Sequence, residues 1–337
     1  MIVVAALLNP SPDSLTVSFW MAIALVPSAG FYWSRAILSA AEKMVYIALS
    51  RMAENVFKIA FGVAIIIGGL GVREVAIIIM LSKAVAFVLC FHFAVHHVTF
   101  PDWRIDKNFI RSLLAQAPSF FLISVFNCQF WCLTVIKLTK LRGEAEAGLY
   151  SAAMKIVDIC VSFAAAYGYA LFPISSRVMH NNPLLFANLF RKSIKYLLIT
   201  TMAIATVLAI MAPNIIRLLY DIDLAGATPI LQLLVWLLVP YSLIPIYGYT
   251  LISNRQQNRD LLANVIGAAT LISGNLFFIH HYGAMGAAVV MIIATLFYFI
   301  TEFYWVEKGI VHINISTRIL LPLLGIVIMA FVLCALK

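Results

Sequence analysis

Apolar runs long enough to cross a bilayer recur ten times along this chain, and that recurrence excludes most folds. A helix of about 20 apolar residues spans the hydrocarbon core with every backbone group bonded internally. The segments are roughly 15–38, 45–69, 74–98, 111–136, 148–175, 193–212, 229–252, 261–279, 284–306 and 319–336. They are continuous runs and lack the in–out alternation of outer-membrane barrel strands. With 64% hydrophobic and 11% charged residues, the chain has too little polar surface for a soluble domain. The fold class expected is all-α, a polytopic transmembrane helical bundle.

The net charge of +9 is a topology signal. Taking alternate loops as one side, Arg35, Lys43, Arg51, Arg104, Lys107, Arg111, Arg177, Arg191, Lys192, Lys195, Arg255, Arg259, Lys308 and Arg318 fall together. Arg73, Lys137, Lys140, Arg142, Arg217 and Lys337 fall opposite. The positive-inside rule makes the first side cytoplasmic, with attraction to anionic lipid headgroups and no nucleic-acid partner. All five cysteines lie within spans, so Cys128 and Cys132, one turn apart, read first as small packing residues. The opening "MIVVAALLNP" lacks the basic n-region and cleavage site of a signal peptide. Loops are short, and the longest, around 176–192, suits an amphipathic surface helix.

Two stretches share a layout of span end, polar loop, span, Gly-containing turn and span, one beginning at Ile37 and the other at Leu251. Ser39 then faces Ser253, Gly71 faces Gly283, and Ala76 faces Ala288. Internal repeats of this kind mark secondary transporters. The second copy is preceded by three spans that the first lacks. If the halves are equal, a truncated N-terminus is expected, with about three spans missing before Met1. The other reading is an asymmetric ten-helix protein. A final helix is also expected to be absent after 319–336.

The segment "AGLYSAAMKI" resembles the Gly-x-Tyr-x-x-Ala-x-Lys signature of polysaccharide-biosynthesis membrane proteins, through Gly148, Tyr150, Ala153 and Lys155. "LFPISSR" is similar to the ending of that helix, through Phe172, Pro173, Ser176 and Arg177. The stretch from Asn254 to Val290 resembles the family's long-helix passage at Asn264, Asn275, Gly283, Gly286, Ala287 and Ala288. These are the Wzx-type flippases of lipid-linked oligosaccharides, in the superfamily (MOP) that also holds the MATE antiporters. The resemblance implies a MATE-like two-lobed architecture around a cavity that opens alternately to each side. It divides the chain into residues 1–98, the remainder of an N-terminal lobe, and 99–110, a cytoplasmic linker. Residues 111–306 become a C-terminal six-helix lobe and 307–337 an additional span.

The implied activity is flipping an undecaprenyl-pyrophosphate-linked oligosaccharide, such as an O-antigen (lipopolysaccharide), capsule or exopolysaccharide repeat unit, across the bacterial cytoplasmic membrane. It needs no covalent chemistry and no cofactor, with H⁺ or Na⁺ coupling open. Membrane lipids and polysaccharide assembly proteins are the further partners implied. Members often carry an acid in the helix before the Gly-x-Tyr motif. Here that helix offers only Gln116, Asn127 and Gln129.

Charges inside spans cost about 2.5–3.5 kcal/mol each at a helix centre, so they normally face a bundle interior or a wet cavity. Lys155 and Asp158 share one helix face and read either as a self-neutralised pair or as a site where Lys155 meets a pyrophosphate. Arg51, Glu54 and Lys58 repeat the pattern, with Arg51 able to snorkel. Lys83 has no acid three or four residues away and is the best candidate for a cavity cation. Glu302 reads as a proton or Na⁺ ligand, or as an interfacial residue. Arg177, Arg191 and Lys192 stand where a lipid headgroup is first met, or simply set topology. His92, His96, His97, His280 and His281 lack acidic or thiol partners nearby and read as interfacial, not as metal ligands. Pro27, Pro118, Pro173, Pro240 and Pro245 lie within spans, and the Pro240–Pro245 segment is the one expected to bend.

The cations Lys58, Lys83 and Lys155 favour an anionic substrate over the organic cations of a MATE-like multidrug exporter. A glycan ligase or polymerase would want a long outer loop with Arg, His and acids, which is absent. A further alternative is an inactive or partner-dependent fragment of a flippase.

Overall fold

The computed structural model describes residues 12–69, 71–98, 107–220 and 224–310. Among them the chain is helical throughout, so the all-α expectation holds. It divides into two compact units, Met1–Ile105 and Asp106–Lys337.

The first unit comprises α1 (Pro12–Ile23), α2 (Leu25–Ala40), α3 (Met44–Ile67) and α4 (Val72–His97). Helices α1 and α2 form one span-length rod, Thr16–Ala40, broken only at Ala24. Helix α4 packs through small side chains four residues apart: Ser82, Ala86, Cys90 and Ala94 are all buried. Small residues let helix backbones approach in a lipid environment, where no hydrophobic drive favours association. At Gly30 of α2 a Cβ would lie 2.5 Å from the Phe87 ring of α4, so a side chain there would have to displace that ring.

The second unit runs α5 (Lys107–Arg142), α6 (Glu144–Asn181), α7 (Pro183–Tyr220), α8 (Ala227–Leu234), a 3₁₀ turn (Val235–Leu237), α9 (Leu238–Ser253) and α10 (Gln257–Gly309). The segment expected as a surface helix, 176–192, instead extends α6 and α7, which meet at Asn182. There the Asn182 Oδ1 accepts the Leu185 N–H at 3.1 Å, and Pro183 takes the first helical position. Both choices suit a helix start, since the amide oxygen caps a free N–H and proline has none to satisfy.

The 3₁₀ turn falls immediately before Pro240. A proline in regular helix would clash with the carbonyl four residues back, that of Trp236, so the backbone tightens there. The segment expected to bend around Pro240 and Pro245 departs from regular α-helix at Val235–Leu237.

Helix α10 is a hairpin, not a rod. Gly283 breaks it at φ 54°, ψ −134°, a conformation that a side chain tolerates poorly. The arms fold back so closely that a Cβ on Gly274 would lie 2.6 Å from Val290. Both broken ends are capped from the α5–α6 corner. Arg142 donates to the Ile279 and His280 carbonyls at 3.1 and 2.7 Å, and Glu146 accepts the Ala284 N–H at 2.9 Å. These side chains satisfy backbone groups that a mid-helix break would orphan.

Seven helices in the described residues are long and apolar enough to cross a membrane. α3 has the length but carries Arg51, Glu54 and Lys58. α10 counts once although it supplies two arms. The tenth expected span, 319–336, and most of the 99–110 linker lie outside the described residues.

The repeat seen in sequence is also present in backbone geometry. Helix α2 ends with Lys43 N–H bonded to Leu38 O and Glu42 N–H to Ser39 O, and Glu42 stands at φ 57°. Helix α9 ends with Gln256 N–H bonded to Leu251 O and Arg255 N–H to Ile252 O, and Arg255 stands at φ 57°. Both are Schellman turns with a left-handed residue that is not glycine.

Candidate functional site

Two polar clusters interrupt the apolar packing, one within each unit. In the first unit the Glu54 carboxylate is buried and holds two cations. Arg51 Nη1 meets Oε2 at 2.9 Å, and Lys83 Nζ meets Oε1 at 2.5 Å. Arg51 and Glu54 are neighbours on α3, whereas Lys83 arrives from α4. The Arg51 guanidinium also lies 4.2 Å above the Phe31 ring of α2, a cation–π contact that anchors it within the unit. Both cations stay about one-third exposed, at 35% and 33%. The cluster carries a formal charge of +1 and borders a cavity of about 30 Å³ lined also by Ser28 and Tyr32. That is room for about two waters.

Lys58, one turn beyond Glu54, makes no ion pair among the described residues and is half-buried. The sequence grouped it with Arg51 and Glu54 by spacing. The structure gives its place at Glu54 to Lys83, which no local spacing could indicate.

In the second unit the cluster is acidic and lies between the two arms of α10. Asn264 Nδ2 donates to Tyr298 Oη at 2.8 Å and to Asp260 Oδ1 at 3.2 Å. Tyr298 and Glu302 both stand close to the Asp260 carboxylate. Glu302 is completely buried, and neither of its carboxylate oxygens meets a donor among the described residues. Full burial sets aside its interfacial reading.

Helix α9 closes over this cluster through Gly248. A Cβ there would lie 2.9 Å from Glu302 Oε1 and 3.5 Å from Asp260 Oδ1. The cluster forms the wall of a cavity of about 480 Å³, which Asn127, Tyr169, Pro245 and Tyr249 also line.

The remaining sequence candidates lie elsewhere. Lys155 is exposed on α6 and Asp158 half-buried, with no ion pair between them among the described residues. Neither lines the 480 Å³ cavity. Tyr150 and Ala153 of the same motif are packing residues, 1% and 0% exposed. Asn127 does reach the cavity and donates to the Ile123 carbonyl at 3.2 Å. The Gln129 side chain lies outside the described residues. Arg177 and Arg191 are exposed on α6 and α7, each with a polar or charged contact, and Lys192 is exposed beside Arg191. Among the described residues no group of three or more His, Cys, Asp or Glu is arranged to hold a metal ion.

Asp260, Asn264, Tyr298 and Gly248 were not singled out as site residues from sequence, although one signal was available. A hairpin turning near Gly283 brings together positions equidistant from its tip. Asn264 with Tyr298 and Asp260 with Glu302 are both symmetric about residue 281.

The family described as polysaccharide biosynthesis protein matches residues 1–179. No curated protein matches the chain. Among solved structures, the fold resembles the lipid II flippase MurJ in an inward closed conformation, with TM-score 0.67 and 16% identity over 90% of this chain. It also resembles an outward-facing multidrug resistance MATE family transporter of the MOP superfamily, with TM-score 0.63 and 15% identity over 78% of this chain. A third neighbour is a MOP superfamily transporter from Pyrococcus furiosus, described as having a binding pocket of reverse polarity. It gives TM-score 0.62 and 14% identity over 89% of this chain and 88% of its own. The chain spans 64% of the MurJ structure and 61% of the MATE structure, less than two thirds of either.

Proposed function

Because the chain belongs to the polysaccharide biosynthesis protein family, whose fold here is that of MOP transporters, we propose that it flips a polyprenyl-pyrophosphate-linked oligosaccharide across the bacterial cytoplasmic membrane. It does so as a transporter without covalent chemistry, by alternating access. The observation that carries the reading is the Arg51–Glu54–Lys83 cluster. Two cations held on one buried carboxylate leave a net positive, partly open site in the membrane-spanning part of the first unit. A pyrophosphate is a compact dianion or trianion. It is attracted by such a site, where Arg offers paired donors and Lys a point charge. Glu54 keeps the two cations oriented and lowers their mutual repulsion, so that the anion is held without being trapped.

Coupling to H⁺ or Na⁺ belongs in this reading to the second unit. Two carboxylates facing each other in a low-dielectric core repel, and the Asp260–Glu302 pair needs a positive charge between them. A shared proton or an alkali cation supplies it. Gly248 seats α9 directly on that pair, so gain or loss of the cation bears on the helix that walls the larger cavity. Arg177, Arg191 and Lys192 attract anionic headgroups at the surface, and assembly enzymes of the same glycan are the natural partners.

Deletion in the source cell, followed by assay of lipid-linked glycan in the inner leaflet, tests the reading. Accumulation there with loss of surface glycan is expected. Unchanged surface display would sink it.

A further inference from the structure

Asn55 stands midway along α3 (Met44–Ile67) with its side chain exposed, and it meets no hydrogen-bond partner among the described residues. A short amide cannot snorkel to either surface as a long cationic side chain can. A polar side chain at that depth is costly unless another helix meets it. The face that carries it is continuous. Val45, Ala48, Met52, Asn55, Ile59 and Gly62 follow at intervals of three and four and form one strip. Val45, Met52 and Ile59 are 69%, 62% and 63% exposed. Ala48 is exposed too, and a Cβ on Gly62 would meet nothing within 4 Å. By the correspondence that relates Glu42 to Arg255 and Arg51 to Asn264, four of these residues have counterparts on the first arm of α10. Val45, Asn55, Ile59 and Gly62 match Asn258, Ala268, Ile272 and Asn275. There α5 covers the strip: Ser119 donates to Asn258 at 2.9 Å, Lys137 to the Ile272 carbonyl at 3.1 Å, and Thr134 accepts from Asn275 at 3.0 Å. Ala268 is buried. The same strip is covered by a helix in the second unit and bare in the first.

We propose that this strip is the contact face of a symmetric dimer, in which α3 packs against α3 of a second copy and the two Asn55 amides pair. The charge asymmetry of the loops inserts both copies in the same direction. A two-fold axis along the membrane normal then brings residue 55 of each copy to the same depth. An amide is its own complement there, since each offers an N–H donor and a carbonyl acceptor. An unrelated helix would need a polar side chain at that one depth. Ala48 and Gly62, about two turns to either side of Asn55, carry little or no bulk and let the two backbones approach. A single amide in an otherwise apolar seam also fixes register and copy number. The contact needs no substrate, so it stands or falls apart from the flippase reading.

The test uses Förster energy transfer between donor-labelled and acceptor-labelled full chains in liposomes of phosphatidylethanolamine and phosphatidylglycerol, diluted stepwise with lipid. Transfer above the level of random proximity is expected, falling on dilution as a dimer dissociates. Asn55→Leu should weaken the dimer by about tenfold, the size of one interhelical hydrogen-bonded contact in model helices. Asn55→Gln keeps the amide and should stay within about threefold of the parent. Gly62→Leu puts bulk on the strip and should also weaken the dimer. The strip is exposed, so these variants leave the fold intact, read as an unchanged Tm of the diluted chain. A parent chain that is monomeric at every dilution overturns the proposal and leaves the strip to a helix of another protein. A dimer unchanged in Asn55→Leu or in Gly62→Leu overturns it too, as does a loss in Asn55→Gln equal to that in the leucine variant.

Discussion

The two units end α2 and α9 in the same turn, with Glu42 and Arg255 at the same φ, and follow each with two antiparallel helical stretches. They differ in what they bury between those stretches. The first unit sets one acid between two cations, the second sets two acids beside an amide and a phenol. Asn264 stands at the repeat position of Arg51, and the two clusters carry opposite net charge. One repeated frame thus carries polar clusters of opposite sign, set by the residues placed on it. The turn at the far end differs as well. Gly71 is extended, at φ −86° and ψ −175°, whereas Gly283 joins its two helical arms at a positive φ of 54°.

The comparison predicts opposite signs for the same change. Glu54→Gln strips the counter-charge from Arg51 and Lys83. Breaking a buried ion pair costs about 3–5 kcal/mol, and one-third exposure of both cations brings the expectation to about 2–3 kcal/mol. Glu302→Gln removes one of two repelling charges and should leave stability unchanged or raise it by about 1 kcal/mol. Thermal unfolding in nanodiscs separates the two, and equal destabilisation would break the comparison. The same Glu302→Gln change is expected to abolish any dependence of transport on a proton or Na⁺ gradient, read in vesicles with imposed gradients.

The glycine turns give the next largest contrast. Gly283→Ala forces a side chain into a strained backbone region and onto Glu146, whose Oε2 would lie 2.0 Å from the new Cβ. A loss of about 1–3 kcal/mol is expected. Gly71→Ala meets only Glu74 Oε2 at 3.3 Å and should cost a few tenths of a kcal/mol. Similar falls in Tm for both would show that the two turns are not distinct. The smallest effect is shared: Glu42→Gly and Arg255→Gly relieve a left-handed residue in each unit and should each stabilise by up to about 1 kcal/mol. A gain in one unit only would mean that the turns differ in more than sequence.

Much of the fold was legible because membrane helices announce themselves by length and apolarity. The repeat, the glycine turns and the departure from regular helix ahead of Pro240 followed from the same reading. The sites were less legible, for a definable reason. Local spacing finds partners on one helix, such as Arg51 with Glu54, and misses those brought by another, such as Lys83. It also gave weight to Lys155 in the Gly-x-Tyr segment, where the structure buries Tyr150 and Ala153 and turns the lysine outward. Asp260 and Glu302 are 42 residues apart in sequence. Only the hairpin at Gly283 makes them neighbours.

The account stands or falls on whether the cationic cluster handles a lipid-linked pyrophosphate. The direct measurement is translocation of an undecaprenyl-pyrophosphate oligosaccharide in proteoliposomes containing the full chain, read as the fraction captured at the opposite leaflet. Protein-dependent transfer is expected, slowed by about tenfold or more in Lys83→Ala, while Lys155→Ala transfers at the parental rate. Transfer absent in the parent, or undiminished in Lys83→Ala, would contradict it.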